Sequence, residues 1–91
     1  MGMNIKKGFL LSEIDDTGVV VATGKLSRTF NSMITLNTSG IFLWKLLEKD
    51  ATEKELENAL MHEYGIDEAT AKEDLKGFLN TLKGADIIEN C

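Results

Sequence analysis

The stretch "ITLNTSGIFLWKLLEK", Ile34 to Lys49, is where the apolar period of the chain changes from that of a strand to that of a helix. Just before and into it, Phe30, Ser32, Ile34 and Leu36 fall on one face of an extended segment, with Asn31, Met33 and Thr35 on the other. Beyond Asn37, a good N-cap residue, Ile41, Trp44 and Leu47 recur at helical spacing, and Phe42, Leu43 and Leu46 broaden the apolar surface. The pattern predicts a strand over residues 29–36 running directly into a largely buried helix over residues 38–49.

Working toward the N-terminus, "VVVAT" (Val19 to Thr23) has strong β-branched character, and "DDTG" before it is turn chemistry, because Asp and Gly accept the φ values of a tight reversal. "GFLLSEI" (Gly8 to Ile14) supplies the other arm of a hairpin. Strands over residues 8–14, 18–23 and 29–36 make a three-stranded antiparallel meander. Working toward the C-terminus, Thr52 and Glu55 form a T-x-x-E capping box, followed by Leu56, Ala59, Leu60 and Tyr64 on one stripe of a helix over residues 53–64. Gly65 is its left-handed terminator. Asp67 caps a third helix over residues 68–83, in which Ala71, Leu75, Phe78, Leu79 and Leu82 form the apolar stripe until Gly84 stops it. Ile87 and Ile88 are expected to fold back on the core. Gly18, Gly24, Gly65 and Gly84 read as turn and cap residues. With no internal repeat or linker, residues 1–91 form one α+β domain of winged helix-turn-helix plan, three strands followed by three helices.

Ninety-one residues suffice for one core that hides roughly 60–65% of the unfolded surface, and are too few for most self-contained enzyme folds. The net charge of −5 is uneven: residues 1–36 carry Lys6, Lys7, Lys25 and Arg28 against Glu13, Asp15 and Asp16, whereas the rest carries six lysines against twelve carboxylates. An acidic half repels phosphate backbones and suits a polypeptide partner. The single cysteine, Cys91, has no internal disulfide partner, no apolar run approaches a membrane span, and "MGMNIKK" lacks the hydrophobic segment of a signal peptide. These features place the protein in the cytoplasm, away from membranes, and Met1 to Met3 receive no role.

Catalytic chemistry has no candidates. His62 stands alone without a second His or a neighbouring Cys, and Ser12, Ser27, Ser32 and Ser39 have no base at recognisable spacing. Neither G-x-x-x-x-G-K-[ST] nor G-x-G-x-x-G occurs. Glu53, Glu55 and Glu57, like Glu68, Glu73 and Asp74, read as solvated helix faces. No metal and no cofactor is expected.

The third strand raises a question of its own. Between Thr29 and Asn37 it has neither a charge nor a proline, the usual guards of an exposed edge, so it is either a buried strand or an edge kept open for a partner.

Leu36-Asn37 followed by Trp44, the pair Leu46 and Leu47, Thr52 opening the second helix, "YGID" at Tyr64 to Asp67, and then Asp74-Leu75, Phe78-Leu79, Leu82 and Ile87-Ile88 together resemble the PqqD-like family, named for pyrroloquinoline quinone biosynthesis. The resemblance implies a winged helix-turn-helix adaptor that binds the leader of a ribosomally made precursor peptide. It presents that leader to a modifying enzyme, commonly a radical S-adenosylmethionine enzyme. It further implies that the leader adds as a strand beside the third strand and lies against the third helix. On this reading Thr29, Phe30, Asn31, Ser32, Met33 and Ile34 supply the main-chain ladder, with Asn31 and Met33 as side-chain contacts. Lys72, Leu75, Lys76 and Leu79 line the helix wall, the two lysines facing acidic groups on the leader, while the helical spacing of Leu75 and Leu79 also suits, and more often marks, core residues. Asp86 stands where the family often has a glycine, and Lys49-Asp50-Ala51 fills a helix end often closed by one. Two other readings stay open: a winged-helix DNA-binding regulator, and an enzyme-docking subunit that binds no leader. An open edge is compatible with a monomer or a homodimer.

Overall fold

A computed structural model describes residues 2–23 and 34–89. Its elements are β1 (Asn4–Ile5), β2 (Phe9–Ile14), β3 (Thr17–Ala22), β4 (Ile34–Leu36), α1 (Thr38–Leu47), α2 (Glu53–Tyr64), α3 (Glu68–Gly84) and β5 (Ile88–Glu89). The three-stranded antiparallel sheet expected from the alternation is present in the order β2-β3-β4, and the three helices follow it. β2 pairs with β3 from Phe9↔Ala22 to Ile14↔Thr17, and β3 with β4 from Gly18↔Leu36 to Val20↔Ile34. Asp15 and Asp16 make the two-residue reversal, with Asp15 at φ 56°, a conformation that Asp tolerates better than most side chains.

Period-two alternation decides which sheet face is buried. Val20, Ile34 and Leu36 point into the core, and Leu10 and Ile14 are exposed on the opposite face. Gly18, read as a turn residue at the head of the second strand, is the second residue of β3. Its neighbours explain the glycine: a Cβ there would stand 2.7 Å from Cγ1 of Ile41 and 2.9 Å from Cδ1 of Leu11, so the missing side chain lets β3 approach α1.

Each helix begins on the predicted cap. The Asn37 side chain accepts hydrogen bonds from the Gly40 N–H (2.9 Å) and the Ser39 hydroxyl (3.0 Å). At α2 the Glu55 N–H donates to Thr52 Oγ1 (3.1 Å) and the Thr52 N–H donates to Glu55 Oε1 (2.9 Å), a complete capping box. Asp67 Oδ1 accepts from the Thr70 N–H (2.8 Å). Gly65 ends α2 at φ 61°.

The end of α3 differs from expectation. Gly84 is its last helical residue, and the left-handed position falls two residues later on Asp86, at φ 60°. The Asp86 N–H donates to the Lys83 carbonyl and the Ile87 N–H to the Leu82 carbonyl, both at 3.0 Å, the 5→2 and 6→1 bonds of a Schellman motif. Asp50, after α1, is likewise left-handed at φ 68°. The two aspartates therefore keep the backbone turn that glycine allows more cheaply.

Two elements went unforeseen: β1 and β5 pair antiparallel, Asn4↔Glu89 and Ile5↔Ile88, and tie the two ends of the described chain together. The Lys6 N–H donates to the Ile87 carbonyl (2.8 Å), and Lys6 Nζ reaches Asp86 Oδ1 at 2.6 Å. Met3 is buried and exchanges both backbone hydrogen bonds with Ala51. The reading that gave Met1 to Met3 no role is thus corrected for Gly2 and Met3. A Cβ on Gly2 would meet the Ala51 backbone at 2.8 Å.

The core is one cluster centred on Trp44, Leu47, Leu56 and Leu82, all completely buried, each large side chain contributing about 1.5–3 kcal/mol of transfer free energy. Glu57 departs from the solvated reading of its face. It is 5% exposed, with Oε1 3.6 Å from Lys54 Nζ. No helix among the described residues is long and apolar enough to cross a membrane.

Candidate functional site

β4 is flanked by β3 on one side only, so among the described residues the outer edge of Ile34 to Leu36 has no strand partner. Ile34 and Leu36 turn their side chains into the core and Thr35 is exposed. Between this strand and α3 lies a cleft of about 500 Å³. One wall is Thr35 and Leu36 with Ser39, Gly40 and Leu43 from the start of α1; the other is Asp74, Gly77, Phe78 and Thr81 of α3. A second hollow of about 390 Å³ continues past the N-terminus of α1 to Leu60, Tyr64 and Ile66, and shares Asn37, Ser39 and Asp74 with the first.

The α3 wall follows from helix geometry. Ala71, Leu75, Leu79 and Leu82 form the buried stripe, and a shift of one residue, about 100° around the axis, brings Asp74, Phe78 and Thr81 onto the flank that faces β4. Gly77 sits on that flank, with nothing within 4 Å of where a Cβ would stand. A glycine inside a helix costs about 1 kcal/mol relative to Ala, and no packing neighbour accounts for it here. What its bare backbone leaves is room in the cleft.

Of the residues expected to meet a partner, Thr29, Phe30, Asn31, Ser32 and Met33 lie outside the described residues. Ile34 is on β4, its side chain buried. Leu75 and Leu79 are 1% and 3% exposed, so they are core rather than cleft wall. Apolar spacing alone marks a helix's most hydrophobic stripe, and that stripe goes inward. Lys72 is exposed, but its ammonium is 2.9 Å from Glu68 Oε1, a contact that raises the lysine pKa above its ordinary value and lowers that of the Glu68 carboxyl. Lys76 is exposed and does not line the cleft. The sequence reading missed Asp74, Gly77, Phe78 and Thr81 as wall residues. The signal that would have found them was the unexplained glycine within an otherwise regular amphipathic helix.

Two solved structures share this architecture. TbiB1 in complex with the TbiA(beta) leader peptide is 27% identical, with a TM-score of 0.78 over 97% of this chain and 96% of that one. Lasso peptide synthetase B1 complexed with the leader peptide is 15% identical, with a TM-score of 0.76 over 98% and 99%, and shares the fold. No curated protein sequence matches the chain. Residues 10–88, from β2 to the first residue of β5, match the family described as Coenzyme PQQ synthesis protein D, and the chain belongs to that PqqD family.

Proposed function

We propose that this protein is a non-catalytic adaptor that binds the leader of a ribosomally made precursor peptide and presents it to a modifying enzyme, of the radical S-adenosylmethionine class or another. The observation that carries the reading is the edge of β4, which has no strand partner among the described residues, beside a cleft whose helical wall is opened by Gly77. A peptide in extended conformation would pair its backbone with that edge and lay alternate side chains into the cleft against Leu43 and Phe78. Two structural neighbours described as leader-peptide complexes support this occupant. The adaptor needs no cofactor of its own, and it acts in the cytoplasm, where the precursor is made.

The test is a titration with the precursor leader encoded beside the gene, followed by backbone amide shifts. Shifts concentrated on Ile34 to Leu36 and on Gly77 are expected, whereas a spectrum unchanged at millimolar peptide overturns the reading. Gly77→Leu sharpens the test, because Leu is the better helix former by somewhat less than the roughly 0.8–1 kcal/mol that separates Gly from Ala. The variant is expected to be at least as stable as the parent and to have lost the peptide.

A further inference from the structure

We infer that the leader segment occupying the cleft carries a basic residue, Lys or Arg, opposite Asp74; the inference rests on the leader-binding reading above. Asp74 lines both hollows, and among the described residues it is the only charged one that lines either of them. Among the described residues its carboxylate has no ion-pair or hydrogen-bond partner. The lysine that would have made α3 attractive to an acidic leader, Lys72, is engaged by Glu68 at 2.9 Å. Among the described residues the charge lining the cleft is therefore negative, opposite to the sign suggested by counting lysines along the helix.

The surroundings define the occupant further. Asp74 lines both hollows together with Asn37 and Ser39, whose hydroxyl donates to Asn37 Oδ1 at 3.0 Å. This polar saddle separates two apolar lobes, Leu36, Leu43 and Phe78 on one side and Leu60, Tyr64 and Ile66 on the other. A strand laid along β4 would close the cleft over Asp74 and strip water from it, leaving a carboxylate that needs a donor. An ammonium or guanidinium flanked by apolar anchors satisfies all three regions at once, and a carboxylate there would be repelled. The formal charge of −5 adds long-range attraction for such a segment.

The test is peptide display from a random 15-residue library against the full-length protein and against Asp74→Lys. Peptides recovered with the parent are expected to show Lys or Arg at one fixed spacing from apolar residues. Those recovered with Asp74→Lys should show Asp or Glu at the same spacing. For one selected basic peptide, Asp74→Asn should weaken binding about tenfold, as for loss of a hydrogen bond between charged groups. Pools that shift the Ile34 to Leu36 amides yet hold no basic position, or that are unchanged by Asp74→Lys, overturn this inference and leave the leader reading standing. Pools that bind without touching those amides overturn the leader reading itself.

Discussion

Gly18 of β3 faces Ile41 of α1 so closely that a Cβ on the glycine would lie 2.7 Å from Cγ1 of the isoleucine. Gly18 is also the register partner of Leu36, which lines the cleft. Gly18→Val is expected to lose about 1–3 kcal/mol through overpacking, seen as a lower denaturant midpoint. The same variant should bind the leader more weakly, and an unchanged midpoint would show that the contact yields freely.

Met3 should matter although it precedes every element of the helix-turn-helix. It is 7% exposed and its backbone is bridged to Ala51 in both directions, at 2.7 and 3.0 Å. Met3→Ala is expected to cost about 2–3 kcal/mol, as for other methionines cut back in a core. Chemical denaturation of the pair of proteins measures it; a loss within error would mean the N-terminal segment merely rests on the surface.

Asp50 occupies a left-handed position at φ 68° that costs an L-residue with a Cβ more than it costs glycine. Asp50→Gly should relieve up to about 1 kcal/mol, a rise of about 4 °C in Tm for a domain of this size. Asp86→Gly relieves the same strain but removes the exposed Lys6 contact at 2.6 Å, whose loss is worth little. Thermal melts that fall for both variants would mean the carboxylates stabilise these turns more than the backbone strains them.

The helix caps make stability acid-sensitive. The Thr52 backbone N–H, then its hydroxyl, holds the Glu55 carboxyl below its ordinary 4.5, and the bonds from Thr70 hold Asp67 below its ordinary 3.8. A carboxyl whose folded pKa is depressed stabilises fully above its ordinary value and loses that contribution as pH falls through the depressed one. Denaturant midpoints should therefore be flat above pH 5 and decline below about pH 4. In Glu55→Gln combined with Asp67→Asn the decline should be shallower, and an identical slope would assign acid sensitivity to other carboxylates.

Much of this protein was legible from residue order because the determining interactions are local. Asn37, Thr52 and Asp67 cap helices through side chains reaching three residues along the chain, and the change of period at Asn37 separates strand from helix. No long-range information is needed for either. The tertiary structure alone decided which flank of α3 faces β4, because Leu75 and Leu79 outcompete their neighbours for burial and leave Asp74, Gly77 and Phe78 to the cleft. It likewise decided that Gly18 is a packing residue, that Met3 is core and that β1 meets β5. Each depends on segments far apart in sequence approaching within van der Waals or hydrogen-bonding distance, and a contact of that kind has no period to read.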